Sequence, residues 1–390
     1  MNSTTCVIGS LLSVMTMTAM ANEPRYAIID LGSLGGDALS TAPGSIATSV
    51  SSSGMAVGTS VTGDTDGTLG AFIWMKNAMQ LLAPGLPANL VRASAISDSG
   101  IIIGVAYDLG DTEPSAIQWT NGTPVTLGLF EGVDVNDVGH VAGRRMIPPM
   151  QAQTMAVAHL GAGLIDLGTF GGSSSGAYGI DGLDRIVGSA DNTVGIRRPF
   201  LWNGTLHDLG TLGGAGGEAM KIATTGWIVG WSRRSDGAPH ATRWQIDAGG
   251  AVLQTIDLGE LGGGFSYAYD VAADGRCVGT SDSRAFLWAD GVMTDLNDLV
   301  SDELGWSLYT ANAINGEYIV GHGRHLGLLR AYLMRPAAPA DVNGNGFVNI
   351  DDLLDVIQAF GPCAGCPEDV NCNGTVNIDD LVAVLNAWTN

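Results

Sequence analysis

Between residues 26 and 335 the hydrophobic positions come in short alternating bursts, each cut off by glycine, asparagine or aspartate. The bursts are rich in β-branched and aromatic residues, and none is long enough for a helix. They recur in a fixed order. "DLGTLGG" leads to "A-x-x-I", then to a turn, "G-x-I-V-G", a variable loop and "A-F-L-W", and an apolar-polar run returns to "DLG". The clearest copies are "GIDGLDRIVGSA" with "PFLWNGTLHDLG", and "DVAADGRCVGTSD" with "AFLWADGVMTDLN".

The glycine that closes "x-V-G" gives the register: Gly58, Gly104, Gly143, Gly188, Gly230, Gly279 and Gly321, spaced 39 to 49 residues apart. The tryptophan of "F-L-W" follows as Trp74, Trp119, Trp202, Trp244 and Trp288; the third copy offers His159-Leu160 instead, and the seventh ends at Met334. Four short strands in a unit of about 44 residues match a propeller blade. The pattern therefore predicts an all-β, seven-bladed β-propeller, with an open β-solenoid as the weaker alternative. "YAIIDLGSLGG", from Tyr26, is a fourth strand without its first three, and the seventh unit stops after its third, at "RAYLMRP". An N-terminal strand joining the last blade closes the ring and removes an exposed edge.

"DLGTLGG", "IVG" and "AFLW" resemble the bacterial extracellular HAF-type repeats over residues 26–334. The resemblance implies location more than chemistry, and carries no enzymatic activity with it.

After residue 335 the pattern changes. "DVNGNGFVNIDD" from Asp341 and "DVNCNGTVNIDD" from Asp369 start 28 residues apart, and each runs into an amphipathic helical pattern. Calcium wants six to eight oxygens at about 2.4 Å, and a short loop supplies them by wrapping the ion. In the first loop the donors are Asp341, Asn343 and Asn345, the Phe347 carbonyl, Asn349 and Asp352, with Gly346 at the sharp turn. In the second they are Asp369, Asn371, Asn373, the Thr375 carbonyl, Asn377 and Asp380, with Gly374 at the turn. Leu353, Leu354, Ile357 and Phe360 are expected to line one apolar helical face, and Leu381, Val384, Leu385 and Trp388 the other. The bland alternative is a pair of Asx turns capping two helices. Two copies in register favour two Ca2+ ions.

The tandem loops resemble a type I dockerin over residues 341–388, with aspartate at position 12 of each loop where a full EF-hand has glutamate. "GPCAGCPED" is similar to linkers in dockerin-like tails of planctomycete secreted proteins. The resemblance implies a small α-helical domain with two calcium loops and a cohesin-like or cell-surface partner. Cohesin-recognising dockerins often carry a Ser/Thr pair at positions 10 and 11. Here these are Ile350-Asp351 and Ile378-Asp379, which puts a standard cohesin in doubt while leaving calcium binding intact. Asparagine at position 5 of both loops lowers ligand charge.

Charge supports this division. Formal net charge is -22, and residues 336–390 hold eight acids with no lysine or arginine. No basic patch is available to meet a phosphate backbone, which argues against nucleic acid as a partner. The apolar run at residues 7–20, with "AMA" at 19–21, reads as a secretory signal with a mature start at Asn22. No later run is long enough for a transmembrane helix. The expected organisation is signal peptide 1–21, repeat propeller 22–335, linker 336–340 and dockerin-like domain 341–390.

Of the five cysteines, Cys363, Cys366 and Cys372 cluster, favouring a disulfide by any of three pairings in a secreted chain. Cys363 and Cys366 lack the further ligands a zinc site needs. Cys277 reads as a buried strand residue. "GDTDG" at 63–67 reads as a solvated turn before a calcium loop, and His322 with His325 lack a third metal ligand. The recurrent Asp30, Asp166, Asp208, Asp257 and Asp295 of "DLG" read as turn hydrogen bonders, and the tryptophans as packing. No H-E-x-x-H or P-loop is present. The expected function is a secreted, non-enzymatic binding or scaffold protein with a calcium-dependent docking or anchoring tail, and a glycan or protein as the propeller's ligand. The alternative is a polysaccharide-active protein of glycoside hydrolase or lyase type.

Overall fold

A computed structural model of the chain describes residues 26–35, 44–62, 69–82, 90–107, 113–147, 150–363 and 365–388. The expected signal segment and "GDTDG" lie outside them. The chain divides into two compact units. The β unit comprises residues 30–298 and 305–334; the tail unit comprises 335–390 with residues up to Ile29 and 299–304.

The β unit is built of four-stranded antiparallel sheets in simple chain order. One sheet has eight strands, but it resolves into two meanders joined at the single parallel pair Leu69–Leu90. In one sheet the order departs from the chain: Tyr26–Asp30 lies beside Leu328–Pro336, followed by Tyr318–His325 and Trp306–Asn315. Within the β unit this arrangement is held by the Leu31 N–H on the Ala331 carbonyl at 3.0 Å and by Asp30 against His325 at 2.7 Å.

The repeat consensus has a direct physical cause. Each "V-G" glycine sits opposite the innermost strand, where a Cβ would collide with a backbone carbonyl oxygen: that of Glu218 for Gly230, and of Tyr267 for Gly279. Only glycine permits so close an approach. At the same level every innermost strand breaks register, between Ala47 and Ser49, Ala219 and Lys221, Ala268 and Asp270, and equivalently elsewhere. These bulges turn the side chains on either side of the extra residue.

The expected packing role of the tryptophans holds. Trp119 and Trp244 are fully buried, each in a cluster that joins its own sheet to the preceding one: Trp119 with Val57 and Ala71, Trp244 with Val187 and Leu201. Asp30, Asp208, Asp257 and Asp295 of the "DLG" series make the expected turn bonds, while Asp166 pairs with Arg145. Asp208 accepts from the Gly210 N–H at 2.8 Å and Asp257 from the Gly259 N–H at 2.9 Å. Each also pairs with a neighbouring strand, through Arg198 and His240 respectively.

The tail unit holds helices α1 (Ile350–Gln358) and α2 (Ile378–Asn386), and a short ladder of Gly361–Pro362 with Thr375–Val376. Its core is Ala340, Val342, Val348, Val356, Val376 and Val384, with Leu353 and Leu381 packed against it. A disulfide joins Cys363 and Cys366. The buried helix faces match the sequence expectation only in part: Leu353, Leu381 and Val384 turn inward as expected. Leu354, Ile357, Phe360, Leu385 and Trp388 are exposed. The cause is the last loop residue. Asp352 and Asp380 are fully buried, so Val356 and Val384, one turn later, form the inward stripe and the longer side chains rotate outward. No helix among the described residues is long and apolar enough to cross a membrane.

Candidate functional site

The two tail loops fold by one hydrogen-bond scheme. In the first, Asp352 Oδ1 accepts from the N–H groups of Val342 and Asn343 at 2.8 and 3.2 Å, and Oδ2 from Asn349 at 2.9 Å. Asp341 Oδ2 accepts from Gly346 at 3.0 Å. Asn343 and Asn345 accept from the residues two positions on, Asn345 and Phe347. In the second loop Asp380 holds Asn371 and Asn377 at 3.0 and 2.9 Å, Asp369 holds Asn373 and Gly374, and Asn373 holds Thr375. Gly346 and Gly374 both have positive φ, +89° and +87°.

Asn349 and Asn377 are the helix N-caps, each in a capping box with the aspartate three residues on. The Asx-turn and capping geometry is therefore real, and it accounts for one acceptor role of positions 9 and 12. Asp341, Asp352, Asp369 and Asp380 are all buried, in a segment without a lysine or arginine. Burial raises the pKa of the nearby Asp355 carboxyl, and Asp352, Glu368 and Asp351 raise it further. Buried carboxylates of one sign call for a counter-cation.

The donor set fits a hard cation. It is oxygen only: Asp352 Oδ1 already accepts two N–H groups, but Asp352 Oδ2 and the oxygens of Asp369 and Asp380 keep a second lone pair beyond their backbone bonds. Each loop brings two acids, with amide and carbonyl oxygens making up the rest; no group of three or more His, Cys, Asp or Glu converges among the described residues. The loops differ in setting. In the first, Asn343, Asn345 and Phe347 are half-buried; in the second, Asn371, Asn373 and Thr375 are exposed. The first is also buttressed from the N-terminal side. The Ile28 N–H donates to the Gly344 carbonyl at 3.0 Å, and Ile29 occupies the space a Cβ on Gly346 would need.

A second constellation lies in the β unit. The bulged inner strands of its sheets line an open cavity of about 330 Å³. The repeat position directly after each bulge is occupied in order by Ser49, Ala95, Asp134, Gly179, Lys221, Asp270 and Ala313, all but Gly179 lining the cavity. Lys221 Nζ reaches Asp134 Oδ1 at 2.6 Å, two sheets away and past Gly179, which has no side chain. Asp134 Oδ2 accepts from the Ile180 N–H at 2.9 Å. Asp270 accepts from Val271 and Ile314 at 2.8 and 2.9 Å. Burial pushes its pKa up to about 6; Lys221 pulls it down and Asp134 works against that pull.

The histidines of "GHGRH" separate. His322 faces this cavity, and burial lowers its pKa. His325 stacks on Trp306, with ring centres 4.5 Å apart, and pairs with Asp30. They do not form a common metal site. Cys277 is free and buried in its strand, its thiol pushed up to about 12 by burial. Sequence reasoning missed Asp134, Lys221 and Asp270. The available signal was the repeat alignment itself, where one column before the "A-x-x-I" isoleucine or valine holds charged residues in some copies and small ones in the rest.

No protein-family model and no curated protein matches the chain. Among solved structures it is similar to TolB from Acinetobacter baumannii (13% identity, 75% of this chain and 63% of that one, TM-score 0.41). It is also similar to a puromycin hydrolase mutant (14%, 73% and 51%, 0.48) and to the β-propeller domain of the Trilobed protease from Pyrococcus furiosus (8%, 55% and 83%, 0.33). The chain thus spans less than two thirds of TolB and about half of the hydrolase. These are likenesses of fold.

Proposed function

We propose that this chain is a secreted, non-enzymatic binding protein: a seven-bladed propeller closed by its N-terminal strand, carrying a dockerin-like tail that folds around two calcium ions and docks or anchors the whole. The observation that carries the tail's role is the matched pair of loops, each with two buried aspartates in one shared hydrogen-bond scheme. Calcium would be held by Asp341, Asn343, Asn345, the Phe347 carbonyl, Asn349 and Asp352, and by Asp369, Asn371, Asn373, the Thr375 carbonyl, Asn377 and Asp380. Bound there, it supplies positive charge and fixes loop geometry. The chain's own residues set the helix faces.

Docking is supported by what those helices leave outside. Ile350, Leu354 and Ile357 of α1, and Ile378, Val382 and Leu385 of α2, form exposed apolar stripes at helical spacing. Secretion is supported by the Cys363–Cys366 disulfide, which belongs to an oxidising compartment, and by the signal-like start of the sequence. The propeller is supported by four-stranded sheets repeating in chain order, and by inner strands that jointly line one cavity.

Calorimetric unfolding of the full chain tests the calcium reading. Calcium at about a thousand times its dissociation constant adds about 4 kcal/mol to whatever binds it. One transition is expected to rise in temperature with calcium and fall with chelator, and the double variant Asp341→Ala, Asp369→Ala is expected to abolish that response. Transitions indifferent to calcium would refute it.

A further inference from the structure

The cavity of the β unit carries more chemistry than packing requires. At the repeat position after the bulge, the structural task is to accept an N–H from the inner strand of the next sheet. Ser49 performs it for Ile96 at 3.3 Å, Asp134 for Ile180 and Asp270 for Ile314. A serine hydroxyl suffices for that task. Two buried carboxylates and a lysine at the same position therefore need another reason, because burying charge is costly.

Their surroundings are those of a ligand site. Lys221 Nζ spends one hydrogen bond on Asp134 and keeps two further donors, with its side chain 28% exposed. Asp270 has no lysine or arginine in ion-pair contact among the described residues, and its oxygens are met by backbone N–H groups alone. Tyr269, at the bulge beside it, presents a phenol whose hydroxyl has no protein partner among the described residues. Tyr178, at the equivalent bulge two sheets earlier, adds a second ring, its hydroxyl bonded to Ser189 at 3.3 Å. His322 lines the same cavity, and burial lowers its pKa. The cavity, about 330 Å³, has the size of a small-molecule pocket.

The charges select the class of ligand. With carboxylates and an ammonium both present, an anion is opposed by Asp134 and Asp270, and a cation by Lys221. A neutral molecule bearing several hydroxyls meets both, since each hydroxyl donates to a carboxylate and accepts from an ammonium or phenol. The two tyrosine rings offer faces to its C–H groups. We propose that this cavity is a binding site for a neutral sugar, a monosaccharide or the terminal unit of a glycan, with Lys221, Asp270 and Tyr269 as its principal polar contacts. This rests on the reading of the β unit as a binding module.

Saturation-transfer NMR on the full chain tests it, with glucose, galactose, mannose and N-acetylglucosamine as probes and with choline and acetate as charged counterparts. At least one sugar is expected to receive saturation. Lys221→Met is expected to weaken it at least about tenfold, and Tyr269→Phe severalfold, since a hydrogen bond to a charged group weighs more than a neutral one. Glu317→Gln, on an exposed turn, is expected to leave it unchanged. Tyr269→Phe removes a single hydroxyl, so it stays informative if Lys221→Met does not fold. The proposal is overturned if no sugar receives saturation, if only choline or acetate does, or if both cavity variants bind like the wild type. The calcium response of the same sample is read separately, so loss of the sugar site and loss of the calcium tail are distinct results.

Discussion

Both units bury aspartates, but they satisfy them over different distances. In the tail, Asp352 and Asp380 take N–H groups from within their own loops, at most ten residues away. In the β unit, Asp134 and Asp270 each take an N–H from the next sheet, 46 and 44 residues on, Asp270 adding that of its neighbour Val271, and the lysine that answers Asp134 is 87 residues distant. A local scheme of acceptors without a cation leaves room for an ion to complete it. A long-range scheme staples sheets together and needs no ion. The tail should therefore depend on calcium, and the β unit should not.

The glycines break the comparison open most forcibly. Gly230 is required because Glu218 leaves no room for a Cβ; Gly374 has open space but a φ of +87°. Gly230→Ala should cost the β unit more than about 4 kcal/mol, the range of severe core disruption. Gly374→Asn, a residue that tolerates the left-handed region, should cost less than about 1 kcal/mol. Urea unfolding of both variants checks this, and equal effects would remove the distinction.

The pH dependence of the β unit comes next. Asp270 has a folded pKa of about 6 against an ordinary 3.8. Below about pH 4 it is protonated in both states. As pH rises through 6 the unfolded chain ionises first, so stability is lost, by up to about 3 kcal/mol, and is flat above. Lys221, Asp134, Tyr269 and His322 face the same cavity, so the difference between wild type and Asp270→Asn isolates the effect. The variant should lose less stability between about pH 4 and pH 7 than the wild type. An equal loss in both would assign the pH dependence elsewhere.

The smallest expected effect lies in the caps. Asn349→Ala and Asn377→Ala should each cost about 1 kcal/mol. If the loops are only capping turns, the cost should be the same with calcium or chelator. If they bind calcium, it should grow when calcium is present, because position 9 is then lost as a ligand as well.

The same contrast of distances explains what was legible beforehand. The Asx turns and helix caps of the loops were readable residue by residue because their partners lie within twelve positions. The strands and their register were readable because the "V-G" glycine marks the close approach in every copy. The cavity was not, because Asp134, Lys221 and Asp270 meet only when separate sheets are brought together. The helix faces were misjudged in part for a related reason. The buried carboxylate at the end of each loop, and not the largest side chains, sets the inward stripe, so Leu354 and Ile357 point out.

Hydrogen exchange on the native full chain, with calcium and with chelator, tests the central contrast most directly. Gly346 and Gly374 donate to the loop aspartates, and Ile28 to the first loop's backbone. Ile180 and Ile314 donate to Asp134 and Asp270. Chelation should sharply accelerate exchange at Ile28, Gly346 and Gly374 and leave Ile180 and Ile314 protected. Unchanged protection in the loops, or an equal loss at Ile180 and Ile314, would contradict the account.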